Sequence, residues 1–146
     1  MSFLLDTNVI SELTRPRPDA GVLAWLAAAD EDAIFLSAIT IAELRYGIQR
    51  LATAKRRTQL DAWLQRDLRP RFEGRILSID SDIADLCGRL IARSESKGRP
   101  IEVRDAYIAA CAERHGLTLV TRNVSDFESV VSSIIAPWSR SGAKPQ

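Results

Sequence analysis

Histidine occurs once in this sequence and cysteine twice, so two common routes to nucleophilic chemistry are closed. His115 stands just before Gly116 at an expected helix end, where a cation suits the dipole, and no Ser–His or Cys–His partner is apparent for it. Cys87 in "IADLCGRLI" and Cys111 in "YIAACAERH" fall within apolar helical patterns without a CxxC partner, and read as reduced core thiols. No apolar run approaches the ~20 residues of a membrane helix. Asp6 falls where a secretory signal would have its apolar stretch, and no basic segment precedes it, so a cytoplasmic protein without a membrane partner is expected. Charge of one sign is also lacking: 20 Lys and Arg stand against 19 Asp and Glu. Any nucleic-acid binding must therefore come from local clusters of charge.

What is present is an alternation of strand and helix within 146 residues, a length suited to one domain. "SFLL", "AIFLS", "RILSI", "LTLVT" and "SIIAP" read as strands. Helical patterns fall between them: "NVISEL", "AGVLAWLAAA" capped by Asp19, "ITIAELRYGIQRL", "AKRRTQLDAWLQRDL" broken after Leu68 by "RPRFEG", "DIADLCGRLIARSES" and "DAYIAACAERH". Strands joined through helices pair in parallel with right-handed crossovers. The expectation is an α/β fold, a three-layer α/β/α sandwich with a central, mainly parallel sheet. It spans residues 1–137, with a disordered tail at 138–146. In such a sheet ligands bind beyond the C-terminal ends of the strands.

Asp6 follows the first expected strand, and "TRNVSD", ending in Asp126, follows a later one. Glu43 lies among Ile39, Ile41, Ala42 and Leu44, a costly setting for a carboxylate unless it faces water, a cation or a cleft. Asp105 opens the "DAYIAACAERH" helix. Singly, each acid has an ordinary explanation: Asp6, Asp105 and Asp126 as helix or turn caps, Glu43 as a side chain reaching the surface. Jointly, they place an acid at each element end that can face one edge of the sheet. Converging carboxylates repel one another, so a proton or a cation must intervene. Oxygen ligands without His or Cys suit Mg²⁺ or Mn²⁺, which polarises a phosphate and activates water. The chemistry implied is phosphodiester hydrolysis.

"LLDTNVISEL", "SAITIAELRYGI" and "VRDAYIAACAERHGLTLVTRNVSDF", in this order, resemble a PIN-domain ribonuclease, in particular the VapC toxins of type II toxin–antitoxin pairs. The resemblance runs to about Pro137. It implies an Mg²⁺-dependent endoribonuclease, with Mn²⁺ as a possible substitute. The family's first three acids fall on Asp6, Glu43 and Asp105. Where many members place the fourth acid this chain has Asn123, and Asp126 in "N-x-x-D-F" takes the role. The resemblance implies Asp6, Asp105 and Asp126 as metal ligands, the last directly or through water, with Glu43 acting on the attacking water. Thr7, Asn8, Thr121 and Asn123 are short polar groups suited to holding the acids or a phosphate, or to ordinary turn chemistry.

Arg99 and Arg104 flank the loop entering Asp105 and are the candidates for gripping an RNA backbone. The cluster "KRR" at 55–57 reads more simply as the solvated face of its helix. The resemblance further implies an RNA substrate, a homodimer and a cognate antitoxin. Trp25, Tyr46 and Trp63 are expected as half-buried core residues, with antitoxin contacts as the other reading. Three rivals stay open: an RNA-binding module that has lost catalysis, a haloacid-dehalogenase-like phosphatase and a response-regulator receiver. The phosphatase needs a second Asp where Asn8 stands, with "DSD" at 80–82 as its other opening. The receiver needs a late Lys, and none lies between 98 and 143.

Overall fold

The computed structural model describes residues 1–139. Strands β1 (Phe3–Leu5), β2 (Ile34–Ser37), β3 (Ile76–Leu77), β4 (Thr118–Val120) and β5 (Ile134–Ile135) form one sheet in the order β3-β2-β1-β4-β5. Every pairing is parallel. Leu5 aligns with Val120 across β1 and β4, and Leu36 with Ile76 across β2 and β3. The chain thus builds outward from β1 in one direction through β2 and β3, then returns to the other flank of β1 for β4 and β5. The reversal falls between β1 and β4, and a crevice opens at such a switch point because the flanking connections leave on opposite faces.

The helices are α1 (Thr7–Glu12), α2 (Ala20–Ala28), α3 (Ala38–Gln49), α4 (Ala54–Ala62), α5 (Arg69–Arg71), α6 (Ser81–Ser96), α7 (Val103–His115) and α8 (Val124–Phe127). Several begin at the caps their sequences supply. Asp19 accepts from Val22 N at 3.1 Å, and Ser37 from Ile39 N at 3.0 Å. Asp80, the first acid of "DSD", caps α6 by accepting from Ile83 N at 2.9 Å. That gives this segment a structural task and removes its appeal as a phosphatase motif. Gly116 ends α7 with φ at 64°, a left-handed turn that glycine enters without penalty from a Cβ.

Each central strand alternates between two cores, as period-two side chains in a doubly covered sheet must. Leu4, Phe35 and Leu119 join Ile83, Leu90, Ile108 and Phe127 on one face. Leu5, Leu36 and Val120 join Val9, Ile10, Val22, Leu44 and Leu64 on the other. Both cysteines are buried and free, and burial pushes both thiols up, consistent with inert core residues.

Three details depart from the sequence reading. The helix at 54–68 does not break at Pro70: its last turns widen into a π-helical segment, Trp63–Leu68, and α5 carries the chain through the proline to Arg71. A π-turn changes which carbonyl each N–H meets, which lets the helix pass a residue that has no N–H to offer. Tyr46 is 56% exposed rather than half-buried, with the Arg50 guanidinium 5.2 Å from its ring centre, while Trp25 packs edge-on against Phe3. The ordered body also extends past Pro137. Trp138 packs against the α1–α2 core and Ser139 N donates to Asp19 Oδ2 at 2.9 Å, so these two residues of the expected tail are held in place. Gly21 makes room for them: a Cβ there would collide with the Pro137 carbonyl oxygen and lie 2.7 Å from Ser139 N. The rest of that expected tail, 140–146, lies outside the described residues. Among the described residues no helix is long and apolar enough to cross a membrane.

Candidate active site

Asp6 ends β1 at the switch point and begins α1, so one carboxylate serves as both helix cap and pocket wall. Its backbone N–H continues the sheet ladder to Val120 O at 2.9 Å. Oδ1 accepts from Thr7 N at 2.7 Å, and Oδ2 accepts from Thr121 Oγ1 at 2.8 Å and from Asn8 Nδ2 at 3.3 Å. Thr121 stands at the corresponding end of β4 and also accepts from Asn123 N at 3.0 Å. Asn8 Oδ1 accepts from Arg122 N at 3.3 Å. The two strand ends on either side of the switch point are thereby tied together through the Asp6 carboxylate. Burial pushes the Asp6 carboxyl above the ordinary carboxylate range. The Thr121 and Thr7 bonds pull the other way, and Glu43 and Asp126 add repulsion.

Glu43 reaches the same wall from α3. The Thr7 hydroxyl donates to its Oε1, the Thr7 and Thr40 hydroxyl oxygens lie 3.1 Å apart, and Arg104 Nη1 stands 3.6 Å from its Oε2. Of the apolar neighbours that make Glu43 unusual in sequence, Leu44 is buried, Ile39 and Ile41 are half-buried against the two cores and Ala42 is exposed, while the carboxylate itself opens onto the cleft.

Asp105 differs from the sequence reading in one respect. The N-cap of α7 is Glu102, which makes no side-chain cap bond, and Asp105 lies in the first helical turn. Its carboxyl is raised to about 6 by burial, then by the charges of Asp6, Asp126, Glu43 and Glu102. Among the described residues no side chain or backbone N–H donates to it. Asp126, exposed on α8, contributes repulsion to both Asp6 and Asp105. The four acids therefore share one electrostatic neighbourhood. Asp6, Glu43 and Asp105 line a cleft of about 540 Å³ together with Arg122 and Trp138. Asp105 also borders a second cleft of about 360 Å³, whose walls include Arg99, Ser125, Asp126 and Ser129.

The donors facing these clefts are carboxylate, hydroxyl and amide oxygens, a hard set that fits Mg²⁺ or Mn²⁺ and not a thiolate or imidazole metal. Among the described residues no three His, Cys, Asp or Glu side chains form a ready cage for one ion. The direct triad of Asp6, Asp105 and Asp126 is thus not assembled in this conformation. Mg²⁺ commonly takes one or two carboxylates and keeps water in its remaining positions, so Asp6 with Asp105 fits it without a third.

Some residues of the site escaped the sequence reading. Thr40 stands three residues before Glu43 on one face of α3, a spacing that could have found it. Arg122 directly follows Thr121, where the strand-end rule applies equally. Buried Glu12 accepts from Asp19 N at 2.8 Å and pairs with Arg15 at 3.3 Å, fixing the proline-rich turn beside the cleft. Trp138 carried no signal at all.

A parallel sheet whose switch-point crevice is walled by carboxylates defines an α/β protein with an acidic ligand pocket at the carboxyl edge of its strands. The PIN domain matches residues 3–131. "VapC ribonuclease Y4jK" of Sinorhizobium fredii is 43% identical over 135 residues, covering 92% of this chain and 96% of that protein. The crystal structure of FitAcB from Neisseria gonorrhoeae superposes with a TM-score of 0.89 at 40% identity, over 93% of this chain and 98% of that one. A toxin–antitoxin complex from Klebsiella pneumoniae superposes at 0.70 with 26% identity, over 95% and 100%. The chain belongs to the PIN-domain family, and within it to the VapC-type ribonucleases. PIN-domain nucleases are generally dependent on a divalent metal.

Proposed function

We propose that the protein is an endoribonuclease dependent on Mg²⁺, with Mn²⁺ as a substitute, that hydrolyses phosphodiester bonds of RNA in the cytoplasm as the toxin of a toxin–antitoxin pair. The observation that carries the reading is the gathering of Asp6, Glu43 and Asp105 on one cleft, with Asp126 on the cleft that Asp105 also borders and, among the described residues, no donor to Asp105. Asp6 and Asp105 would hold the ion, with Asp126 reaching it through water. The ion supplies charge neutralisation at the phosphate and a more acidic bound water. Glu43 orients the attacking water and takes its proton, and the bond from the Thr7 hydroxyl keeps the accepting carboxylate in place. Thr121 and Asn8 fix the plane of the Asp6 carboxylate, and Asn123 holds the hydroxyl of Thr121 through its backbone N–H. Arg99 and Arg104 stand at the second cleft and beside Glu43 respectively, placed to meet phosphates of the bound strand.

A cognate antitoxin is the protein partner, and the chain works as a homodimer. Residues 1–137 form the nuclease domain in this reading, with Trp138 and Ser139 packed onto it. The experiment is cleavage of total RNA by the purified wild-type chain in Mg²⁺ or Mn²⁺. Cleavage should stop with EDTA and fall at least ~100-fold in Asp6→Asn, since disturbing even groups that merely support metal ligands costs 10–100-fold. Metal-independent cutting, or binding of RNA with no cutting in either metal, would favour the non-catalytic binding module instead.

A further inference from the structure

The acidic cleft continues past its own wall. Arg122 and Trp138 line it, and they also line a neighbouring pocket of about 460 Å³ whose remaining walls include Arg15, Arg17 and Pro16. Two acids, Glu12 and Asp19, line that pocket too, and three of their four oxygens accept bonds within the fold. Glu12 takes Arg15 and Asp19 N, while Asp19 takes Val22 N and Ser139 N. Arg17 and Arg122 are exposed, and neither joins an ion pair among the described residues. Three arginines against two acids leave the lining of this pocket net positive, directly beside the acids of the cleft.

Arg122 is also held in position. Its backbone N–H donates to Asn8 Oδ1, and Asn8 in turn donates to Asp6, so two hydrogen bonds separate it from the acid centre. Its guanidinium carbon lies 5.6 Å from the centre of the Trp138 ring. The indole is seated by the segment that Gly21 accommodates. A guanidinium laid on an aromatic face loses rotamer freedom before binding and keeps its N–H fork open to an anion.

We propose that Arg15, Arg17, Arg122 and Trp138 form the subsite for the RNA backbone next to the scissile phosphate, with Arg122 gripping the adjoining phosphate and Trp138 positioning Arg122. This rests on the ribonuclease reading. The bound strand then runs from the Arg99 cleft, across Asp105 and Asp6, to Arg122 and the α1–α2 turn.

The test measures binding of a short fluorescein-labelled single-stranded RNA across a series of KCl concentrations, in an Asp6→Asn background that binds without cutting. Arg122→Ala should weaken binding five- to ten-fold and make the salt dependence shallower by about 0.7, the share of one phosphate contact on a single strand. Arg122→Lys should restore the salt dependence but only part of the affinity, because an ammonium neither stacks nor forks. Trp138→Ala should weaken binding several-fold while leaving the salt dependence intact. In the active chain, Arg122→Ala should raise KM more than it lowers kcat. Parental affinity and salt dependence in Arg122→Ala would overturn the subsite, as would weaker binding with unchanged salt dependence in that variant. Failure of the ribonuclease reading looks different, a wild-type chain that cuts no RNA in either metal, and it overturns both.

Discussion

Burial raises the carboxyls on both walls of the crevice, but the strand-end wall and the helix-start wall differ in the bonds they give in return. At the strand ends, Asp6 has both oxygens engaged, by Thr7 N, Thr121 and Asn8, and is nearly sealed from solvent at 6% exposure. At the start of α7, Asp105 is half-buried, has no donor among the described residues, and feels the charge of four other acids. The first wall is part of the fold, because its carboxylate caps α1 and fastens β4 to β1. Among the described residues the second has no donor to offset burial and repulsion when it is charged, so a proton or a cation is what relieves it. A metal site made of one acid fixed by bonds and one left to burial and repulsion would have part of its geometry set before an ion arrives.

Removing each acid in turn from the metal-free protein separates the two walls. Asp6→Ala deletes a cap and leaves the buried Thr121 hydroxyl without its acceptor. It should lower stability by about 1–3 kcal/mol in chemical denaturation. A loss near zero would mean that the strand-end wall does not hold the fold. Thr121→Val, which removes one donor and keeps the cap, should cost less, about 1 kcal/mol.

Asp105→Asn should do the reverse. The folded protein holds the Asp105 proton more tightly than the unfolded chain does, with a folded value of about 6 against an ordinary value of 3.8. This group therefore favours folding at low pH, and the contribution is lost as pH rises from the unfolded value through the folded one. With allowance for solvent around a half-exposed group, neutralising it at pH near 7 should stabilise the apo protein by about 1 kcal/mol, or ~2–4 °C in melting midpoint. The gain should vanish below pH ~4, where the wild-type side chain is protonated as well. Equal midpoints at neutral pH would remove the strain assigned to this wall.

The contrast between the walls also explains how much of the site was legible in the sequence. Asp6 and Thr121 follow short apolar strands, and the rule placing ligands at the carboxyl ends of parallel strands points to both positions directly. Glu43 stood out because a charge among Ile39, Ile41 and Leu44 has to be explained. Asp105 was singled out as a candidate but placed at the cap, three residues past the actual N-cap Glu102, since that helix boundary is decided by the preceding loop rather than by periodicity. The π-helical turn at Trp63–Leu68 was invisible because the apolar spacing of Leu60, Leu64 and Leu68 is compatible with an ordinary helix. Trp138 was lost for another reason. "APWSRSG" has the composition of a tail, and only the space left by Gly21, far away in sequence, gives it a seat.

The most direct measurement is the melting midpoint of the wild-type chain and of Asp105→Asn at neutral pH, each with and without millimolar Mg²⁺ or Mn²⁺. A ligand held only by the folded state raises the midpoint, by an amount worth about 2.7 kcal/mol when it is present at 100 times its dissociation constant. The wild type should shift upward in either metal, and Asp105→Asn should lose most of that shift while starting from the higher metal-free value. A wild type indifferent to both ions, or a variant that shifts as far as the wild type, would contradict the gathering of these acids around a divalent cation.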